Sequence, residues 1–121
     1  VRSAGEVCIR GTVRTKAPEL AEEDAGRFCL ISGPGRRAAC GACNADGTDL
    51  FWWVKEKGQK SEAGSGKELK RRLLAEYDGW PLGLARCIAL TPASRIRVDA
   101  LEDLVPWEGR WGRGRVTLLG D

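Results

Sequence analysis

The 121 residues carry 20 Lys and Arg against 17 Asp and Glu, a net charge of +3, and no histidine. That length suits one domain with a modest core, and so slight an excess of positive charge does not by itself argue for a nucleic-acid partner. No apolar run approaches the roughly 18 residues that a membrane-spanning helix needs, and no charged-then-apolar leader is visible, so a soluble, cytoplasmic protein is expected.

The N-terminal half reads as strands. In "EVCIRGTVR", Val7, Ile9, Gly11 and Val13 alternate with Cys8, Arg10, Thr12 and Arg14, the period of a half-buried strand. The proline and acidic run of "KAPELAEEDAG" break that pattern into a surface loop or short helical turn. Strand composition resumes at "RFCLIS", "GPGRR" is a turn by its glycines and proline, and "AACGAC", the turn "NADG" and "TDLFWWVKE" follow. The four segments suggest an antiparallel meander.

Helix signals begin after the Gly/Ser/Lys loop "KGQKSEAGSGK". Ser65 followed by Glu68 predicts a capping box, and "KELKRRLLAEY" places Leu69, Leu73, Leu74 and Tyr77 on one stripe. Glu68 and Arg72 are spaced for a surface ion pair. The basic cluster "KELKRR" is then a solvated helix face. "PLGLARCIAL" predicts a second helix with Pro81 at its first position and Thr91-Pro92 at its end. "SRIRVDA" alternates again, "LEDLVPWEGRWGRG" is a long connection, and "RVTLLG" reads as a closing buried strand. The fold class predicted from this order is α+β: a mostly antiparallel sheet of five to six strands with two helices on one face.

Cys8, Cys29, Cys40, Cys43 and Cys87 form an odd set. The pair in "CGAC" has zinc or redox spacing, but two further zinc ligands are lacking, and a redox pair normally opens a helix. On a strand, positions three apart point to opposite faces, which favours structural thiols.

"LFWWV" is the informative stretch. Leu50, Trp52 and Val54 face one way and Phe51 and Trp53 the other, so both faces of this strand are apolar. Two helices cover one side; the other would present an aromatic patch to water. Either Trp107 and Trp111 of the long connection cover it, or it lines a ligand pocket or docks another domain. Which face is which stays open, because a slip of one residue exchanges them. The apolar ending at Leu118 and Leu119, the start at Val1 and the absence of Met lead us to expect a piece of a longer protein.

The closing "WGRGRVTLLGD" resembles the segment that leads into the second flavin-contacting motif of single-component FAD-dependent aromatic hydroxylases, the family of p-hydroxybenzoate and salicylate hydroxylases and zeaxanthin epoxidase. The resemblance rests on Gly114, Arg115, Val116, Leu118, Leu119, Gly120 and Asp121; in the family Ala-Ala-His follows the acid. Arg10 and Gly11 in "VCIRG" resemble the family's Arg-Gly strand, "GPGRR" with Phe51 to Trp53 its central hairpin, and "GWPLGLARCIALTP" its later helix. Two family motifs are missing. "GSGK" follows a loop rather than the strand that the dinucleotide fingerprint requires, and Asp46-Gly47 sits in a hairpin turn rather than in the family's middle motif.

The resemblance implies the substrate-binding domain of a monooxygenase that hydroxylates or epoxidises an aromatic or olefinic molecule with FAD, NAD(P)H and oxygen. The FAD-binding domain would belong to the same parent chain, and this piece alone is expected to be inactive. By residue match Asp121 would accept hydrogen bonds from flavin hydroxyls and Gly120 would admit close backbone approach. Arg115 would contact the cofactor or form a salt bridge. Arg10 would orient an anionic substrate or be an ordinary surface arginine. Phe51 with Trp53, or Trp52 in the other register, would line the pocket. The alternative is a self-contained α+β module that offers its aromatic face to a protein partner; a single-strand nucleic-acid binder ranks behind both.

Overall fold

The computed structural model describes residues 1–14, 27–105 and 109–117. Strands β1 (Arg2–Arg14), β2 (Phe28–Gly33), β3 (Arg36–Ala42), β4 (Asp49–Lys57) and β5 (Arg97–Asp103) form one antiparallel sheet in the order β2-β3-β4-β1-β5. Helices α1 (Gly66–Glu76) and α2 (Leu84–Leu90) carry the chain from β4 back to β5, and β6 (Gly112–Arg113) pairs with β7 (Val116–Thr117) in a separate small hairpin. The α+β class expected from the sequence is the class observed. The meander is confined to β2, β3 and β4, and β1 runs on the far side of β4.

The core lies between the sheet and the two helices. Val7, Ile9 and Val13 of β1, Ala38 and Cys40 of β3, and Leu50, Trp52 and Val54 of β4 meet Leu69 and Leu73 from α1, Tyr77 at its C-cap, and Leu84, Cys87 and Ile88 from α2. Burying a large aliphatic side chain of this kind contributes about 1.5–3 kcal/mol. Trp52 is the largest fully buried side chain. Its Nε1–H donates to Thr91 Oγ1 at 2.8 Å, and the Thr91 hydroxyl donates in turn to the Cys87 carbonyl at 2.7 Å. Gly11 makes room for the indole, since a Cβ there would stand 2.9 Å from the Trp52 ring.

One carboxylate enters this apolar space. Glu56 is buried on the helix side of β4, where Tyr77 Oη–H donates to Oε1 at 2.9 Å and Arg72 Nη1–H to Oε2 at 3.0 Å. Arg72 also reaches Glu76 at 2.8 Å, and Arg36 completes the group by pairing with Glu76 at 3.2 Å and lying over the Tyr77 ring. A buried charge is tolerated only when matched and hydrogen-bonded in this way.

Several local expectations are corrected. Ser65 is the N-cap of α1, but its side chain makes no capping bond; Gly66 enters the helix at φ 59°, outside the helical range on which a capping box depends. Arg72 turns to Glu56 and Glu76 instead of Glu68, because a buried carboxylate is the stronger partner. Helix α2 begins at Leu84 rather than Pro81: Leu82 and Gly83 have left-handed backbone, φ 61° and 69°, which no right-handed helix can include. Strand β1 starts at Arg2, four residues before the predicted segment, with a bulge between Ser3 and Glu6. The closing run does not bury a strand at Val116, which is 70 % exposed; Gly114, at φ 62°, folds it back on Gly112–Arg113. The acidic loop expected over 16–26 and Leu118 to Gly120 lie outside the described residues.

The two edges of the sheet differ. Edge strand β2, "FCLISG", has no charged residue, whereas β5 carries Arg97, Asp99, Glu102 and Asp103. Asp103 is held by Arg2 at 2.7 Å.

Two outcomes test this account. Thr91→Val leaves the buried Trp52 N–H without an acceptor and should cost about 1–3 kcal/mol, read as a lower midpoint in urea unfolding. Burial, and then the charge of Glu56, push the Tyr77 phenol above its ordinary value of 10.0. A raised folded value means that the protonated phenol favours the fold, so this stability is fully present below pH about 10 and is lost as pH rises above it. Tyr77→Phe should flatten that alkaline slope in thermal melts taken across the range.

Candidate functional site

The face of the sheet turned away from the helices is ordered by the strand register. In the sequence β2-β3-β4-β1, one row reads Phe28, Gly41, Phe51, Thr12. The next reads Leu30, Ala39, Trp53, Arg10, and continues to Arg97 on β5; the third reads Ser32, Arg37, Lys55, Cys8 and Asp99. The face therefore grades from aromatic and aliphatic at one end to cationic at the other over four residues along each strand.

The apolar rows are incompletely covered. Phe28 is 49 % and Leu30 64 % exposed, while Phe51 and Trp53 are half-buried against their neighbours. Phe28 and Phe51 stack with centroids 6.1 Å apart and planes 18° from parallel. Ala39 is fully buried under the flanking side chains although it faces this way. Trp111, one of the two tryptophans expected as a cover, is 52 % exposed, and Trp107 lies outside the described residues.

The charged row carries a mismatch. Arg37 and Lys55 stand directly opposite each other on β3 and β4, an arrangement that costs stability. Lys55 is tied to Glu6; among the described residues Arg37 and Lys57 have no ion-pair partner. Together with Ser32 and Arg36 these side chains line a cleft of about 420 Å³ at the β2–β3 hairpin, beside the aromatic rows. Of its four cationic lining residues Arg36 is paired with Glu76 and Lys55 with Glu6, which leaves Arg37 and Lys57 to suit an anion.

Of the residues singled out from the sequence, Phe51, Trp53 and Arg10 come together on this face. Trp52 does not: it is committed to the core. Arg10 is not a free clamp, since its Nε lies 2.8 Å from Asp99 Oδ2, a buried oxygen without an aligned hydrogen bond. Beside this pair, burial pushes the Cys8 thiol upward, so it stays protonated at neutral pH. Arg115 is exposed in the β6–β7 hairpin, and Gly120 and Asp121 lie outside the described residues. Cys40 is buried in β3 and Cys43 is exposed beyond its end, so the "CGAC" pair is split, though not by the two faces of one strand as its spacing predicted. Arg37 and Lys55 were missed, because their meeting depends on a register that no local pattern reveals; the signal available was the two-residue turn Pro34-Gly35, which fixes the face of Arg37.

Neither the protein-family models nor the curated proteins give a match to this chain. Solved structures do. The chain is similar to Klebsiella pneumoniae HpxO in complex with FAD and uric acid, with 24 % identity and a TM-score of 0.71, over 98 % of this chain and 29 % of that one. A variant of HpxO in complex with FAD gives 23 % identity and 0.71 over 98 % and 30 %; FqzB gives 22 % and 0.59 over 86 % and 27 %. At these identities the likeness establishes a shared fold, and the chain spans about three tenths of the length of the solved chains it matches.

An open apolar face makes a measurable difference. The chain should enhance the emission of a hydrophobic dye, and the double change Phe28→Ser with Leu30→Ser should remove most of that signal. Because both side chains are about half exposed or more, the unfolding midpoint should move far less than for a core truncation.

Proposed function

We propose that this chain is the substrate-binding part of a FAD-dependent monooxygenase, and that its open face forms one wall of the pocket for a planar, anionic aromatic or heteroaromatic substrate. The observation that carries the reading is the graded face: an aromatic surface from Phe51 and Trp53 running directly into the unmatched cations Arg37 and Lys57. Two supports stand beside it. The fold is shared with HpxO, which was crystallised with FAD and with uric acid, a planar heterocyclic acid; and the segment ending Gly120-Asp121 resembles the family's flavin-contacting motif.

In this reading the face fits a flavin-bearing neighbour because its apolar rows are partly exposed and lie on the side away from the chain's own helices. FAD, reduced by NAD(P)H, would supply the oxygen-transfer chemistry when bound. The chain's own residues do the rest. Trp53 and Phe51 offer flat apolar surface to a ring and exclude water from it. Arg37 and Lys55 draw the anionic group to the hairpin end, and the donors of Arg37 fix its orientation. Asp99 holds Arg10 against the sheet, so that Arg10 positions rather than neutralises. Gly120, Asp121 and Arg115 are the proposed cofactor contacts.

Titration of the chain with urate or a hydroxybenzoate, followed by tryptophan emission, should give saturable quenching. Arg37→Gln should weaken it roughly tenfold to a hundredfold, the worth of about 1.5–3 kcal/mol for a charge-assisted hydrogen bond. Trp53→Leu should weaken it about threefold to tenfold. Quenching that never saturates, or that ignores Arg37→Gln, removes the substrate reading. The purified chain should carry no flavin absorbance, and the parent reading frame should continue Ala-Ala-His after Asp121; a frame without it favours the self-contained module.

A further inference from the structure

The sulfur of Cys40 lies between two sets of partners. Its side chain points from β3 toward the helices, where the thiol donates to the Leu82 carbonyl oxygen at 3.2 Å. Directly opposite it across the β2–β3 ladder stands Cys29. Facing residues of an antiparallel pair have Cα atoms about 4.5–5.5 Å apart, within the roughly 4.4–6.8 Å that a disulfide spans. Their exposure differs: Cys29, on the edge strand, is half-buried, and Cys40 is enclosed. The acceptor matters too. Leu82 is the one non-glycine among the described residues with left-handed backbone, at φ 61°, and it sits in the turn that leads into α2. No cluster of three or more Cys, Asp or Glu is placed to hold a metal among the described residues. The Cys40 thiol has two cysteine neighbours, Cys29 across the ladder and Cys87 of α2, with which it shares a hydrogen bond; Cys87 is buried, so of the two Cys29 is the one open to an oxidant.

We propose that Cys29 and Cys40 are an oxidation site, at which a peroxide joins the facing thiols into a β2–β3 disulfide and draws the Cys40 sulfur away from the Leu82 carbonyl. Two thiols and one hydrogen peroxide give one disulfide and two waters. The Cys29 thiolate attacks a peroxide oxygen, the O–O bond breaks, and the departing hydroxide takes a proton to leave as the first water. The Cys40 sulfur then displaces the hydroxyl of the Cys29 sulfenic acid; the S–O bond breaks as the S–S bond forms, and the Cys40 proton leaves with the second water. Cys29 takes the first step because it is the accessible one of the two, and Cys40 resolves it. The bond ties the edge strand that bears Phe28 and Leu30 to the rest of the sheet, while the turn at Leu82 loses the donor that helps to hold it. This rests on the sheet register and is independent of the flavin reading.

The test uses the folded chain with Cys43→Ser, a change at an exposed position beyond the end of β3, so that trypsin places Cys29 and Cys40 on separate peptides with one cysteine each. After hydrogen peroxide, alkylation of the remaining thiols and digestion without reductant, the two peptides should appear joined, lighter by two hydrogens than their sum. Cys8 and Cys87 should be alkylated, and amide exchange at Gly83 and Leu84 should be faster than in the reduced chain. A link between Cys40 and Cys87, or Cys29 ending as sulfinic acid without any link, overturns the assignment. Adding Cys29→Ser must abolish every crosslink at Cys40; one that persists overturns it equally.

Discussion

Trp52 has one place to go, and the rest of the sheet follows from it. Its indole lies over Gly11, the one position of β1 facing the core without a side chain, and its N–H ends on the Thr91 hydroxyl. Because side chains alternate along a strand, an inward Trp52 sends Phe51 and Trp53 outward. A slip of one residue would drive two aromatic rings into space shaped for one and strip the indole of its acceptor. Thr91, at the end of α2, thus sets the parity of β4 from 39 residues along the chain.

That distance explains what the sequence could and could not disclose. Strand β1 was legible because one of its faces is apolar and the other is not. Strand β4 was legible as a strand but not as a direction, since both of its faces are apolar, and the choice belongs to a glycine on β1 and a threonine on another element. Backbone conformation hid in the same way. "PLG" has the composition of a helix start, yet Leu82 and Gly83 are left-handed; "RVTLLG" has the composition of a buried strand, yet its first residues are turned back by Gly114. In both cases a single positive φ outweighed several residues of favourable pattern. The cationic end of the open face was the costliest omission, because Arg37 and Lys55 become neighbours only once β3 and β4 are aligned.

The two faces also handle charge differently. At adjacent positions of β4, Glu56 points inward and Lys55 outward. The inward carboxylate is fully matched by Tyr77 and Arg72, as burial demands. The outward ammonium is matched by Glu6, but its cross-strand neighbour Arg37 is left with a like charge opposite it. A surface in water can carry such a mismatch cheaply, and a surface that meets an anion can turn it to use. The contrast separates what holds the domain together from what the domain offers to other molecules.

The unequal flanks of the sheet give the molecule a direction of growth. A foreign extended segment arriving beside β5 would meet alternating charges, with Asp103 already engaged by Arg2. Beside β2 it would find only Phe, Cys, Leu, Ile, Ser and Gly, and among the described residues no further strand pairs with that outer edge. Lateral extension of the sheet is thereby polarised: one margin is sealed by electrostatics, and the other is left as a template.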